Sequence, residues 1–528
     1  AVREDFEAAS SHVKEYSLSD ECPWLKFLMI HPRLVYQKWL SLPQGSIIQD
    51  PLVEKNAKGE RIYSSYVSGD HFEMVKQHAQ DQFIISTMLY TDACIVVDYG
   101  DRKMHPIYMI LANAAPSVSE KDRYALIGFV PIIGEEEEKK IQWRDQRSKS
   151  VFRARVLQKV IEIVVTAAGF TDRHRNGISL LFPDGKYRPV YAILAAYLGD
   201  RPELLSVCGK TVSHSSRLKR PCRMCQVSGE QLSDTSLRGY WPLHIVPEEK
   251  YDEWEKAVDS LVQRRHGTVK CNETVLQEDS RAEVNVALRK CRHFIVEAST
   301  PHCSLHTFKI GIGGRLLSWV LKLLVREEEE RKRSQGRAGR NAERDSGSDD
   351  GEGDSEDECF GDENCEWIKI VNQRVAAVDE GIPELYKYVS PKGWALHPKI
   401  KTGQHKARAL FALTFAMRNL RDSPERDEIY FALCLWNRIS RLIFARQITS
   451  GEINSLQSLI AQFRVVAKRA FKDESFDFPM QHDLLHFPLN ILRYGCAFEF
   501  TTDTMEKLHG IIVKRLFRFT KRADHDST

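Results

Sequence analysis

The sequence has no apolar run long enough to span a bilayer. Val156–Ala168 is broken by Gln158, Lys159 and Glu162, and Leu316–Val325 is short and carries Lys322. A hydrocarbon core needs about 20 apolar residues in a row, so no membrane contact is expected. An apolar leader is missing as well. The chain starts Ala1-Val2-Arg3-Glu4 without an initiator Met, which suggests a fragment or a trimmed chain and leaves open whether an N-terminal domain is missing. There is little excess charge of either sign. Lys and Arg number 76 against 73 Asp and Glu, a net charge of +3, so bulk charge announces no partner. The acid is concentrated near residues 343–366, which leaves the rest of the chain basic. Twelve Cys in 528 residues are too scattered for a disulfide framework. Reduced thiols, some of them metal ligands, are the expectation.

What is present reads as a folded protein of two to four domains, with 42% hydrophobic and 28% charged residues. Residues 1–80 look mostly helical, with Trp24 and Trp39 as core anchors. From Gln82 the texture changes to apolar, β-branched runs at Phe83–Val97, Ile107–Ala112 and Tyr124–Ile133, separated by turn signals. Arg153–Ala168 then carries apolar residues at helical spacing. Ile178–Phe182 and Pro189–Leu198 are strand-like, joined by a Pro183-Asp184-Gly185 turn. Strand, strand, strand, helix, strand is how a ribonuclease-H-like sheet begins. The expected fold is therefore α/β, a ribonuclease-H-like mixed sheet interrupted by a large, mostly helical insertion. Its parts are an N-terminal region, 1–80; a first core segment, 81–205; a Cys-bearing helical insertion, 206–326; a disordered acidic linker, 327–366; a second helical stretch, 367–475; and a C-terminal helix region, 476–528. Amphipathic helices are predicted over 405–421, 427–446 and 453–472.

Three carboxylates stand out. Asp92 follows Ile84–Tyr90 within one apolar run, and Asp200 closes another, Val190 to Gly199. Carboxylates at neighbouring strand ends, with a third on a helix, can hold two divalent ions of the Mg²⁺ or Mn²⁺ kind, which prefer hard oxygen ligands. Glu506 is the third. Each has a plainer explanation. Asp92 could open a turn, and Asp200 before Arg201-Pro202-Glu203 could cap a helix. Glu506 in Asp503-Thr504-Met505-Glu506 has capping-box spacing. On the same predicted helix, Lys507, Lys514, Arg518 and Lys521 share a face that could follow a phosphate backbone or simply be solvated.

Cys222-Arg223-Met224-Cys225 is half of a zinc knuckle, with Cys208 and His214 upstream to complete it and His244 as a further candidate. A pair of ordinary loop thiols is equally consistent with the spacing. His482 and His486 lie four apart, but Pro488 follows and no Glu accompanies them. They read as packed helix residues.

Several motifs, taken in order, resemble the Plavaka family of transposases, relatives of the CACTA-like and KDZ-like DDE enzymes. They are Tyr90-Thr91-Asp92, His105-Pro106-Ile107-Tyr108, Ile127-Gly128-Phe129-Val130-Pro131, Ala195 to Glu203, Cys222 to Cys225, Ser304-Leu305-His306, Lys401 to Lys406, His482 to Phe487, Arg493-Tyr494-Gly495 and Thr502 to His509. The resemblance implies Asp92, Asp200 and Glu506 as a catalytic triad binding two Mg²⁺ or Mn²⁺ ions. It also implies DNA partners (transposon ends and target), a homo-oligomer when active and nuclear localisation. His306 and His509 are implied near the triad. Some three hundred residues between Asp200 and Glu506 fit the implied insertion. The chain departs from the pattern at Cys303, Lys401, Asp503, Lys507 and Ala93-Cys94. Those departures motivate a second expectation, a domesticated DNA-binding protein that no longer cuts. A third, a ribonuclease-H-like nuclease, fits poorly with so long an insertion.

Overall fold

The computed structural model describes residues 13–18, 25–95, 103–132, 146–211, 218–235, 243–265, 276–338 except 278, 369–374 except 372, 403–418, 423–509 except 477, and 513. Its centre is a seven-stranded mixed sheet. The strands are β1 (Val13–Ser17), β2 (Lys26–Ile30), β3 (Phe83–Thr91), β4 (Pro106–Leu111), β5 (Tyr124–Phe129), β6 (Ile178–Leu181) and β7 (Tyr187–Leu198). They lie in the order β1-β2-β5-β4-β3-β7-β6. β3 and β7 are parallel, and every other neighbouring pair is antiparallel.

β3 forms because Phe-Ile-Ile-Ser-Thr-Met-Leu-Tyr-Thr is apolar and β-branched throughout, which suits a strand covered on both faces. Its alternate side chains enter two cores: Ile84, Met88 and Tyr90 on one face, Ile85 and Leu89 on the other. β7 alternates likewise until Ala195, an extra residue between Leu194, which pairs with Thr87, and Ala196, which pairs with Met88. This bulge re-phases the strand, so that Leu198 lies opposite Tyr90 and shares its core. The Pro183-Asp184-Gly185 turn is as expected, with Gly185 at φ +79°.

Helices cover both faces. On one side pack α1 (Pro32–Leu40), α3 (Gln146–Ala167), α4 (Arg201–Val207) and α5 (Glu248–Arg265). On the other lie α2 (Asp70–Ala79), α6 (Gly313–Ala338), α7 (Gly403–Met417), α8 (Pro424–Ile443) and α9 (Ser450–Ala470). The short α10 (Pro479–Asp483), α11 (Phe487–Tyr494) and α12 (Asp503–Leu508) follow. The three predicted amphipathic helices are thus present, as α7, α8 and α9. No helix among the described residues is long and apolar enough to cross a membrane.

Two expectations need correction. The described residues of the 1–80 region are not mostly helical: β1 and β2 extend the main sheet, and Glu54–Lys55 and Arg61–Tyr63 form a small sheet with Ile448–Thr449. Nor does the linker begin at 327. α6 runs on to Ala338, carrying its charge as intrahelical pairs such as Arg333 with Glu329, 3.8 Å apart. Residues 339–366 and Trp24 lie outside the described residues. Trp39 is fully buried, and its Nε1 donates to the Asp122 carbonyl at 3.0 Å.

Candidate active site and metal centre

Parallel neighbours end at the same edge of a sheet, and ligands of α/β proteins gather outside the carboxyl ends of such strands. Tyr90 and Leu198 are in register, so Asp92 and Asp200, each two residues further on, leave the sheet side by side. Without the Ala195 bulge, Gly199 would stand opposite Asp92. The Asp92 carboxyl is pushed up to about 7, first by burial and then by the charge of Asp200, with His306 and Tyr90 opposing. Tyr90 Oη donates to Asp92 Oδ2 at 3.1 Å, and its ring stacks on His509 at 5.6 Å. Asp200 also does what its plainer reading foresaw. It caps α4, accepting from the Glu203 amide at 2.8 Å, with Pro202 in the first turn. Burial raises its pKa, against the help of that amide and of His306.

Glu506 lies on α12, near enough for the charge of Asp200 to act on it. The capping-box reading is not realised: Thr502 is the N-cap, no side chain caps the helix, and the Glu506 amide bonds to the Thr502 carbonyl at 2.9 Å. Its carboxylate instead lies 3.4 Å from His306 Nε2. Burial raises its pKa, His306 lowers it, and Asp503 and Asp200 raise it further. His306 is the shared cation. Burial would lower its pKa, but Cys303, Glu506 and Asp200 outweigh this and raise it to about 9. Its Nδ1 lies 3.2 Å from Thr502 Oγ1, and Cys303 Sγ is 3.1 Å from the same hydroxyl. Asp503, another departure from the motif, pairs with Lys309 at 2.7 Å.

Sequence reasoning did not nominate two neighbours. Glu203 accepts a hydrogen bond from Thr91 and lies 3.3 Å from His105 Nε2. The signal was available, since both residues sit inside the motifs already singled out. A cavity of about 570 Å³ opens beside them, lined in part by Ala93, Lys149, Arg153 and Lys210. Of the proposed basic stripe, Lys507 is exposed, while Lys514, Arg518 and Lys521 lie outside the described residues.

The second cluster departs from expectation. Cys222 and Cys225 meet His482 and His486, and all four ligand atoms lie within 4.8 Å of one another, fully buried. Cys222 Sγ is 3.3 Å from His486 Nε2, and Cys225 Sγ is 3.2 Å from His482 Nε2. Cys208 is elsewhere, its thiol near Thr300 Oγ1 at 3.5 Å, and His214 lies outside the described residues. His244 bonds to Gln226 rather than to the cluster. Against burial, Cys225 and the two imidazoles hold the Cys222 thiol below its ordinary range, while burial and Cys222 push Cys225 up. Two cysteines and two histidines converging from separate segments form a donor set suited to tetrahedral metal binding.

Residues 43–267 match the family model of the Plavaka transposase, which bears out the resemblance read from the motifs. The matched span includes Asp92, Asp200, Cys222 and Cys225, whereas Glu506, His482 and His486 lie beyond it. No curated protein matches the chain.

Proposed function

We propose that the chain is a DDE transposase that cleaves DNA strands and transfers the freed ends through Asp92, Asp200 and Glu506. One observation carries this reading: Asp92 and Asp200 leave neighbouring parallel strands side by side, His306 faces Glu506, and burial raises the pKa of all three carboxylates. Such a set is strained without cations and offers only hard oxygen donors, which suits Mg²⁺ or Mn²⁺. A pair of these ions would activate the attacking oxygen and stabilise the leaving one. The strand order β5-β4-β3-β7, with β3 and β7 parallel and the other pairs antiparallel, supports a ribonuclease-H-like core.

The protein's own groups supply the remainder. Tyr90 orients Asp92 by its hydroxyl. The start of α4 fixes Asp200 through the Glu203 amide. His306 holds Glu506 in reach of the other two. Lys149 and Arg153 border the neighbouring cavity, where cationic side chains can follow a phosphate backbone. The Cys222–Cys225–His482–His486 cluster binds a structural Zn²⁺, joining the segment after Asp200 to the one before Glu506. The active species is a homo-oligomer on transposon ends and target DNA, working in the nucleus.

Nicking of supercoiled plasmid in Mn²⁺ tests the reading. Wild-type protein is expected to nick and Asp200→Asn to leave the plasmid intact while still binding DNA. Salt-sensitive DNA binding with no nicking by the wild type would favour the domesticated, inactive alternative, which the departures at Cys303 and Asp503 motivate.

A further inference from the structure

We infer that Asp483 is a positioning residue that couples the two clusters, so that the Cys–His centre sets the affinity of the carboxylate site for divalent ions. The inference rests on the reading of both clusters as metal sites. Asp483 directly follows the ligand His482, and its carboxylate meets residues that neighbour the other site in sequence. Its Oδ2 accepts from Arg201 Nε at 3.1 Å, and its Oδ1 lies 3.2 Å from His302 Nε2. Arg201 is the residue after Asp200 and the first of α4, the helix that Asp200 caps. The same guanidinium donates from Nη2 to the carbonyl of Pro221, the residue before Cys222, at 3.0 Å.

His302 connects the opposite flank. Its ring stacks on His486 at 5.4 Å with the planes 8° apart. Four residues further along the chain is His306, whose imidazole lies against Glu506. Arg223, inside the Cys-x-x-Cys loop, clamps the same segment by donating to the Thr300 carbonyl from Nε at 3.0 Å and Nη2 at 2.8 Å. One carboxylate therefore touches the segment carrying Asp200 and the segment carrying His306, while its own backbone carries a ligand of the Cys–His centre.

The pair is deeply buried, with side-chain exposure of 7% for Arg201 and 2% for Asp483. A buried ion pair adds little net stability over apolar packing of the same volume, whereas it fixes geometry sharply. Fixing the entry to α4 is what its position accomplishes. Loss of the Cys–His metal would release His482 and His486, and with them the anchor of Arg201.

The test uses the full chain. Asp483→Asn, nearly isosteric, is loaded with Co²⁺ at the Cys–His centre and titrated with Mn²⁺ by electron paramagnetic resonance. The expected result is an unchanged thiolate–cobalt absorption band and a Mn²⁺ affinity lowered about tenfold, as for other residues that orient ligands. Nicking should recover at saturating Mn²⁺, which a general loss of structure would not allow. Mn²⁺ affinity within twofold of wild type would overturn the coupling. Should Asp483→Asn fail to fold, Arg201→Lys and zinc-stripped wild-type protein carry the same two outcomes. A wild-type chain that binds no Mn²⁺ would instead overturn the carboxylate site itself.

Discussion

The carboxylate cluster and the Cys–His cluster are built by opposite means. The first begins as a consequence of sheet geometry: two parallel strands in register deliver Asp92 and Asp200 to one edge, and a helix supplies Glu506. The second has no regular element beneath its cysteines, which sit in a loop buried against the helical turns that carry His482 and His486. Their chemistry differs in the same sense. Burial raises the pKa of each carboxylate, and the charge of Asp200 adds to this at Asp92 and Glu506, whereas the Cys222 thiol is held below its ordinary range by Cys225 and the two imidazoles. One cluster suits a site that takes up ions to work, the other a permanent clasp.

That contrast can be broken in order of expected effect. Glu506→Gln is predicted to reduce nicking by about 10³-fold or more, roughly 4 kcal/mol of barrier, with the melting temperature of the metal-free protein unchanged or raised. A gel assay paired with calorimetry checks both, and a destabilised fold would mark Glu506 as structural. Cys222→Ser should do the reverse first, lowering stability by about 4 kcal/mol, the size associated with losing a structural metal. Urea midpoints report it, and an unchanged midpoint with no bound zinc would remove the clasp.

Gly495→Ala is expected to cost about 2–3 kcal/mol, the scale of enforced backbone strain. Its φ is +82° and an added Cβ would fall 2.1 Å from the Ser65 carbonyl oxygen. Gly185→Ala, at φ +79° with nothing within 4 Å, should cost only about 1 kcal/mol. Equal losses would show that the 65–69 and 493–495 segments do not approach as described.

The last test is in pH. Asp92 has a folded pKa of about 7, above the roughly 3.9 of an unfolded Asp. The native state therefore holds this proton more tightly, and metal-free stability should decline as pH rises from about 4 through about 7. Asp92→Asn should abolish that decline, so wild type melts several degrees below the variant at pH 8 and level with it near pH 4. Parallel curves for the two proteins would deny the burial of Asp92.

Much of the sheet was legible because its strands announce themselves locally. Phe83–Thr91 and Tyr187–Leu198 are apolar on both faces, and each ends in an Asp that interrupts the pattern. The bulge at Ala195 was not legible, since its residues are as apolar as their neighbours. β1 and β2 were missed because their partners are remote: Val-Lys-Glu-Tyr-Ser is polar and half exposed, and β2 joins the sheet at a single pairing, Met29 with Gly128. The His482–His486 spacing was visible, but completing the Cys222–Cys225 pair from nearby residues led to Cys208 and His214. The actual partners are some 260 residues away, and only the fold brings them back. The charged stretch after Arg326 read as linker because charge alone does not separate an exposed helix from a solvated coil.

The most direct test of the account is a Mn²⁺ titration of the metal-free chain, wild type beside Glu506→Gln and Asp92→Asn. Convergence of the three carboxylates predicts ion binding in the wild type that is lost or strongly weakened in both variants. Equal Mn²⁺ binding by all three proteins would contradict it.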